Sequence, residues 1–339
     1  MSEAASSEEP LLRVADLRVN FGVHAAIRDV SFDLCAAETL GLVGESGSGK
    51  STLARAILRL VRAARGTVLW RGEDLLLCDG AELRRRRRDL QIIFQDPLAS
   101  LNPRMTVGEI IAEPLRIFEP GLDAHARAYK VGDMLERVGL AAGMHGRYPH
   151  EFSGGQCQRI GIARAMVLGP KLLICDEPVS SLDASIQGQI VNLLLDLQRD
   201  AGTAMLFITH NLALVRHLSH RILVMYSGRL VEIAPRDRLF AAPTHPYTRA
   251  LLAAVPARRS AAPAASALRA SAPGASAPGA SVHGAPAPGL PNPSADNGCA
   301  YRDRCAHALA LCAAAVPLLD EVAPGHFVAC HRARELMQR

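Results

Sequence analysis

Residues 44–52 read GESGSGKST, and residues 152–156, about a hundred positions later, read FSGGQ. The first string fits G-x-x-x-x-G-K-[ST] from Gly44 to Ser51, with Glu45, Ser46, Gly47, Ser48 and Gly49 between the anchor positions and Thr52 just behind. A loop of this kind turns successive backbone N–H groups inward around a β/γ-phosphate, while Lys50 adds a positive charge and Ser51 offers a hydroxyl to Mg²⁺. The glycines keep side chains out of the phosphate's way and permit positive φ. The flanks supply the context such a loop needs: ETLGLV at 38–43 reads as a strand feeding it, and 51–63 reads as the helix that follows, with Leu53, Ile57, Leu58 and Leu60 as its apolar positions. Alone, the loop says only that a nucleotide phosphate is bound.

The second string has its own physical rationale. Ser153 is a helix cap, and Ser153, Gly154, Gly155 and Gln156 open a helical run, GQCQRIGIARAMVL. Free N–H groups and the positive end of the helix dipole make that start an anion site. One chain thus carries two separate clamps for one triphosphate, which makes sense if they close from opposite sides. Between and beyond them lie further marks. LLICDE at 172–177 is an apolar strand ending in two carboxylates: Asp176 is placed to hold the water shell of Mg²⁺, and Glu177 to take a proton from an attacking water. SSLDA occupies 180–184, FITHN at 207–211 is an apolar strand ending near His210, and QIIFQ at 91–95 ends at Gln95.

This series resembles the ATP-binding cassette ATPases, over about residues 10–255. The resemblance implies an α/β fold: a P-loop ABC ATPase domain with a RecA-like core, an N-terminal antiparallel β layer and a helical subdomain. It implies ATP and Mg²⁺ as ligands, and catalytic roles for Lys50, Gln95, Glu177 and His210. Gln95 would touch Mg²⁺ and water and report on a membrane partner, and His210 would contact the γ-phosphate and help hold the attacking water. Phe21 falls where related cassettes place an aromatic ring under the adenine, a buried core Phe being the competing reading. Asp183 resembles the aspartate that crosses the dimer interface. In the family the FSGGQ clamp acts on a partner's nucleotide, so a chain with one cassette must pair with another. Phe152 replaces the commoner leucine, apolar for apolar.

Organisation along the chain agrees with this expectation. Residues 11–20 and 26–34 read as strands of the antiparallel layer. From about 97 to 150 the pattern turns helical, VGEIIAEPLRIF and then AYKVGDMLERVGL, a helical subdomain placed at about 97–165. Strands at 171–176, 203–209 and 221–226 alternate with a helix at 185–199, the pattern of an α/β core with a mainly parallel sheet. The nucleotide-binding domain is therefore set at 1–255. Residues 256–297 are dominated by Ala, Pro, Ser and Gly and read as a disordered linker. A Cys-rich tail is set at 298–339.

Composition bounds the function classes. The chain has 339 residues, 49% of them hydrophobic and 4% aromatic, with a net charge of +5. Arg84–Arg88 reads as a solvated helix face, with anionic lipid or nucleic acid as alternatives; no aromatic residue interleaves it, so base stacking has no support. The polar start MSEAASSEEP is unlike a secretory leader, and no run of 18 apolar residues occurs, which points to a cytosolic protein docked on a membrane partner. Disulfides are not expected in that compartment.

Cys299, Cys305, Cys312 and Cys330 follow C-x₅-C-x₆-C-x₁₇-C. No tight C-x₂₋₄-C pair of the zinc kind is present, and an iron–sulfur cluster accepts wider spacing; zinc with help from His307, His326 or His331, and unmetallated thiols, stay open. Cys35, Cys78, Cys157 and Cys175 are scattered and read as core residues. FQDPLASLNPRMTVGEII at 94–111, THPYTRALLAAVP at 244–256 and the cysteine tail together look like the ATPase subunits of bacterial oligopeptide and dipeptide importers, with NPRMTVGEIIAEPLR and HEFSGGQCQRIGIARA similar to their F-type subunits. That likeness implies an energy-coupling ATPase at the cytoplasmic face of the inner membrane, a second and related D-type cassette, two permease subunits, an extracytoplasmic peptide-binding protein and a [4Fe–4S] cluster on the tail. An importer of nickel, glutathione or another small solute, a soluble ATP-switched protein, and a regulatory module that holds ATP without turnover are the competing readings. The last two are disfavoured by the single cassette and by the intact Glu177 and His210.

Overall fold

The structure is a computed structural model, and it describes residues 9–254 and 297–338. The linker expected at 256–297 lies almost wholly outside those residues.

Two sheets form the frame. The smaller is antiparallel, in the order β2-β1-β4-β5, from β1 (Leu12–Phe21), β2 (His24–Leu34), β4 (Arg65–Trp70) and β5 (Glu73–Asp74). Along β1 the buried residues are Leu12, Val14, Leu17 and Val19, so the two-residue alternation slips by one between Val14 and Leu17. Asp16 takes up the extra residue in a left-handed conformation, φ 48°, and its N–H donates to Ser31 Oγ at 2.8 Å. This is a bulge that restores the apolar face to the core.

The larger sheet runs β11-β12-β10-β9-β3-β8-β7-β6. It contains β3 (Thr39–Val43), β6 (Leu90–Ile93), β7 (Leu172–Asp176), β8 (Ala204–Ile208), β9 (Arg221–Tyr226), β10 (Arg229–Pro235), β11 (Asp320–Ala323) and β12 (His326–Val328). The central strands β6, β7, β8, β3 and β9 pair in parallel, and every residue of β3, β7 and β8 is buried. That burial explains their continuous apolar runs, since a parallel sheet is covered on both faces.

One face packs against the antiparallel sheet and the helix Lys50–Ile57 through Leu12, Leu53, Ile57, Trp70 and Leu206. The other face packs against the helices Val107–Phe118, Ala124–Arg137 and Gly154–Met166 through Ile111, Leu135, Ile160, Leu173 and Phe207. Each of these three helices starts at a side-chain cap: Thr106 in a reciprocal box with Glu109, Asp123 to the Ala126 N–H, and Ser153 in a box with Gln156.

Two expectations are revised, and the tail adds a contact that the sequence does not show. The helix after the phosphate loop ends at Ile57 rather than at 63, because Arg59 turns left-handed (φ 52°) and Leu60 is exposed. Arg59 holds that turn by donating to the carbonyls of Leu75 and Cys78, at 2.9 and 2.5 Å. Among the scattered cysteines, Cys157 and Cys175 are buried, whereas Cys35 and Cys78 are only half-buried. Finally, the tail strands β11 and β12 extend the main sheet, β12 pairing antiparallel with β10 through Glu232↔Val328 and Ile233↔Phe327.

The arginine run lies on and just after the capped helix Gly80–Arg86. Arg85 pairs with Glu82, Arg86 with Glu73 and Glu82, and Arg88 with Asp89 and Glu119. The sequence reads as a solvated helix face there, and Arg84, Arg85 and Arg88 are exposed.

Candidate functional site

The parallel register brings the motifs to one edge. Leu42 pairs with Ile208, and Asp176 pairs with Ile208 from the other side, so β3, β7 and β8 end together. In an open α/β sheet the carboxyl edge is where ligands bind. There a cleft of about 610 Å³ is lined by Phe21, His24, Ala26, Ser46, Gly47, Gly49, Lys50, Ser51, Thr52, Gln95, Glu177 and His210.

The loop over this cleft is pinned by close packing. A Cβ at Gly44 would sit 2.2 Å from the Met225 carbonyl oxygen, so no side chain fits there. Gly49, at φ 103°, precedes the helix in a left-handed conformation open to glycine. Lys50 is almost fully buried; its Nζ donates to the carbonyls of Gly44 and Glu45, both at 2.9 Å. Burial pushes the Lys50 amine down from its ordinary pKa, and the carboxylates of Glu177, Asp176 and Glu45 oppose that shift. Ser51 Oγ donates to Asp176 Oδ1 at 2.7 Å. Burial raises the pKa of Asp176, and the Ser51 hydroxyl works against the rise. Ser51 and Gln95 line the cleft, and the buried Asp176 carboxylate lies against the Ser51 hydroxyl; oxygen donors of this kind fit a magnesium ion.

Glu177 follows β7 in a left-handed conformation, φ 48°, which is costly for a side chain of its size. Its N–H donates to the Ile208 carbonyl at 3.0 Å, and this bond holds the strained residue in place. Backbone strain that the surroundings enforce is characteristic of functional positions. The Glu177 carboxylate lies 3.3 Å from His210 Nδ1, with the histidine ring largely exposed and the carboxylate largely covered. A carboxylate held beside a histidine over a phosphate cradle can accept a proton from water and keep that water oriented.

Phe21, at the tip of the β1–β2 hairpin, is 53% exposed and lines the cleft. The core-Phe alternative is thereby excluded. Ser153, Gly154, Gly155, Gln156 and Asp183 do not line the cleft. Ser153 Oγ and the Gln156 side chain close the capping box, at 3.4 and 3.0 Å. Asp183 is exposed and makes no cap hydrogen bond at the start of the helix Ala184–Ala201. Sequence reasoning missed His24 and Ala26, which reach the cleft only because the hairpin folds over the loop, and Tyr247, whose hydroxyl accepts from the Glu45 N–H at 2.9 Å. No local signal marks His24 or Ala26; Tyr247 lies within THPYTRALLAAVP, a string read as a family mark with no role for its tyrosine.

The four tail thiols share one neighbourhood. Cys299, Cys305 and Cys312 each push the Cys330 thiol up, with burial as the larger cause, to about 11. Among the described residues, however, no three His, Cys, Asp or Glu side chains are grouped to hold a single metal ion. Two of the histidines considered for zinc are engaged elsewhere. His326, fully buried, donates from Nε2 to Glu232 at 2.7 Å and accepts from Arg238 at Nδ1, 3.0 Å. His331 Nε2 meets the Ala315 carbonyl at 2.9 Å.

Fold and cleft together define a phosphate-loop ATPase cassette. Residues 27–180 match the ABC transporter family, and residues 231–312 match the oligopeptide/dipeptide transporter C-terminal region. The chain is 54% identical to the oligopeptide transport ATP-binding protein OppF of Salmonella typhimurium, over 76% of this chain and 80% of that one. It is 46% identical to OppF of Haemophilus influenzae over 96% and 98% of the two chains. It is 48% identical to a putative peptide import ATP-binding protein of Brucella ovis over 96% and 99%. Among solved structures, the dimeric bacterial ABC transporter cassette MJ0796 superposes with a TM-score of 0.62 at 26% identity, covering 66% of this chain and 98% of that one. This chain belongs to the ABC transporter ATP-binding proteins of the oligopeptide/dipeptide type. Among the described residues no helix is long and apolar enough to cross a membrane.

Proposed function

We propose that this chain is the ATP-hydrolysing, energy-coupling subunit of an importer for oligopeptides or dipeptides. The observation that carries the reading is the division of the motifs: one cleft gathers Phe21, the phosphate loop, Gln95, Glu177 and His210, while the FSGGQ helix start and Asp183 lie outside it. Half of the machinery faces this chain's own nucleotide, and the other half faces a neighbour's. The similar cassette MJ0796, solved as a dimer in two structures, one of them bound to ADP and Pi, supports such a pairing.

In this reading Ser46, Gly47 and Gly49 of the loop, which line the cleft, present N–H groups to the phosphates while Gly44, Glu45 and Ser48 shape the loop behind them, Lys50 adds charge, Thr52 lines the end of the cradle and Phe21 stacks on the adenine. Ser51, Asp176 and Gln95 hold Mg²⁺, which when bound neutralises phosphate charge. Glu177 takes a proton from water as its oxygen attacks the γ-phosphorus and ADP leaves; His210 steadies that water through its contact with Glu177. Ser153, Gly154, Gly155, Gln156 and Asp183 serve the nucleotide of a second cassette, a related D-type chain. Two permease subunits take up the motion, and an extracytoplasmic binding protein delivers the peptide, which places this chain peripherally on the cytoplasmic face of the inner membrane. The domain division at 1–255, 256–297 and 298–339 belongs to the same proposal. The spacing C-x₅-C-x₆-C-x₁₇-C of the tail, which lacks the tight pair usual for zinc, is what supports a [4Fe–4S] cluster on Cys299, Cys305, Cys312 and Cys330. An anaerobic preparation should be brown with about four irons per chain; a colourless protein with stoichiometric zinc decides against iron.

The central experiment is Glu177→Gln. ATP binding should persist, a closed pair of cassettes should accumulate, and turnover should fall about a hundredfold or more. Undiminished turnover removes the assignment of the base. Purification from native membranes should co-elute the permeases and the second cassette.

A further inference from the structure

The second residue of the phosphate loop is held from three directions, two of them by groups far away in sequence. The Glu45 N–H donates to the Tyr247 hydroxyl and its carbonyl accepts from Lys50 Nζ, both at 2.9 Å. Its carboxylate receives Nη1 and Nη2 of Arg304, each at 3.0 Å, in a two-pronged pairing across 259 residues of chain. Arg304 stands immediately before Cys305 in the tail.

The platform beneath Arg304 is rigid. Its guanidinium lies over the rings of Tyr226 and Tyr301, 5.9 and 5.6 Å from their centroids. Tyr226, Tyr247 and Tyr301 pack against one another with centroids 4.6–5.4 Å apart. Tyr247 and Tyr301 are buried. Beyond Tyr226, the Gly228 N–H donates to the Ser48 carbonyl at 2.9 Å, a second tie from this corner to the same loop. An ion pair exposed by 44% and 40% contributes little to folding. A planar fork, however, fixes the direction of a carboxylate as well as its charge. Here it fixes the stretch of backbone whose N–H groups must converge on a phosphate.

We propose that Arg304 is a positioning residue for nucleotide binding: through Glu45 it holds the phosphate loop in its receptive shape, so that the docked tail sets the affinity for ATP. The inference rests on the ATP-binding role argued above. The geometry makes it specific, because Arg304 does not line the cleft and its ion pair with the loop is made through the Glu45 carboxylate.

The test uses the full chain with its D-type partner. Affinity for a fluorescent ATP analogue, KM and kcat are measured for wild type, Arg304→Ala, Arg304→Lys, Glu45→Gln and the Arg304→Ala/Glu45→Gln double variant. Arg304→Ala and Glu45→Gln should each weaken binding and raise KM about fivefold with kcat retained at saturating ATP. The double variant should be no worse than either single one, and Arg304→Lys should recover part of the affinity because it keeps the charge but loses the fork. An unchanged KM in Arg304→Ala, or additive losses in the double variant, overturns the proposal. Absence of nucleotide binding by the wild-type complex would instead remove the ATP-binding reading itself.

Discussion

His245 gives the fold a predictable weakness to acid. The residue is 1% exposed at the start of the helix Pro246–Ala253, where its Nδ1 accepts from the Tyr247 N–H at 3.0 Å. Burial pushes its pKa down from 6.5 to about 4, and Glu232 nearby pulls only weakly the other way. The groups facing it are the Glu232 carboxylate, which accepts the His245 N–H at 3.0 Å, and the Tyr301 ring, 6.0 Å away. The sign follows from proton counting. Below pH 6.5 the unfolded chain binds a proton that the folded chain refuses, so stability is full above 6.5 and falls as pH drops toward 4. Over that interval, at about 1.4 kcal/mol per pH unit, the loss amounts to about 3 kcal/mol. Protonation of Nδ1 would also turn the helix cap from acceptor to donor.

His245→Asn keeps a capping oxygen and removes the titration. Urea unfolding followed by the fluorescence of Trp70, the only tryptophan and fully buried, gives stability for both proteins from pH 7.5 to 4.5. The variant is expected to start lower and decline less, the two curves converging by about 3 kcal/mol. Parallel curves would refute the reasoning, because every other titrating group is common to both proteins.

Other outcomes follow from the same geometry. Gly44→Ala forces a methyl to within 2.2 Å of the Met225 carbonyl oxygen, so the loop must shift, and a fluorescent ATP analogue should bind at least tenfold more weakly. Glu232→Ala strips the acceptor from Thr244 N–H, His245 N–H and His326 Nε2; stability should drop on the order of 3–5 kcal/mol, and limited proteolysis should cut the tail first. His210→Ala removes the partner 3.3 Å from Glu177 and should lower kcat about a hundredfold with ATP affinity nearly unchanged, as a kcat and KM split would show.

The phosphate loop, its strand, the paired carboxylates at 176–177 and the helix capped by Ser153 were legible because each is a local pattern: a few side chains whose spacing alone sets what the backbone can do. The buried strands of the parallel sheet were legible for the same reason, as continuous apolar runs. The chain could also be read as holding two halves of a nucleotide clamp, since both strings lie in one sequence.

Only the tertiary structure decided how those pieces meet. The slip in β1 is invisible without the partner strand that makes Asp16 a bulge. The strain at Glu177 depends on a hydrogen bond from another strand's end. In sequence the Cys-rich tail follows the cassette only after residues 256–297, yet β12 continues the main sheet and Arg304 reaches the phosphate loop across 259 residues. Periodicity and motif spacing encode contacts a few residues apart. Which distant groups share a sheet edge or a carboxylate is settled when the whole chain packs, and no short stretch of sequence carries that information.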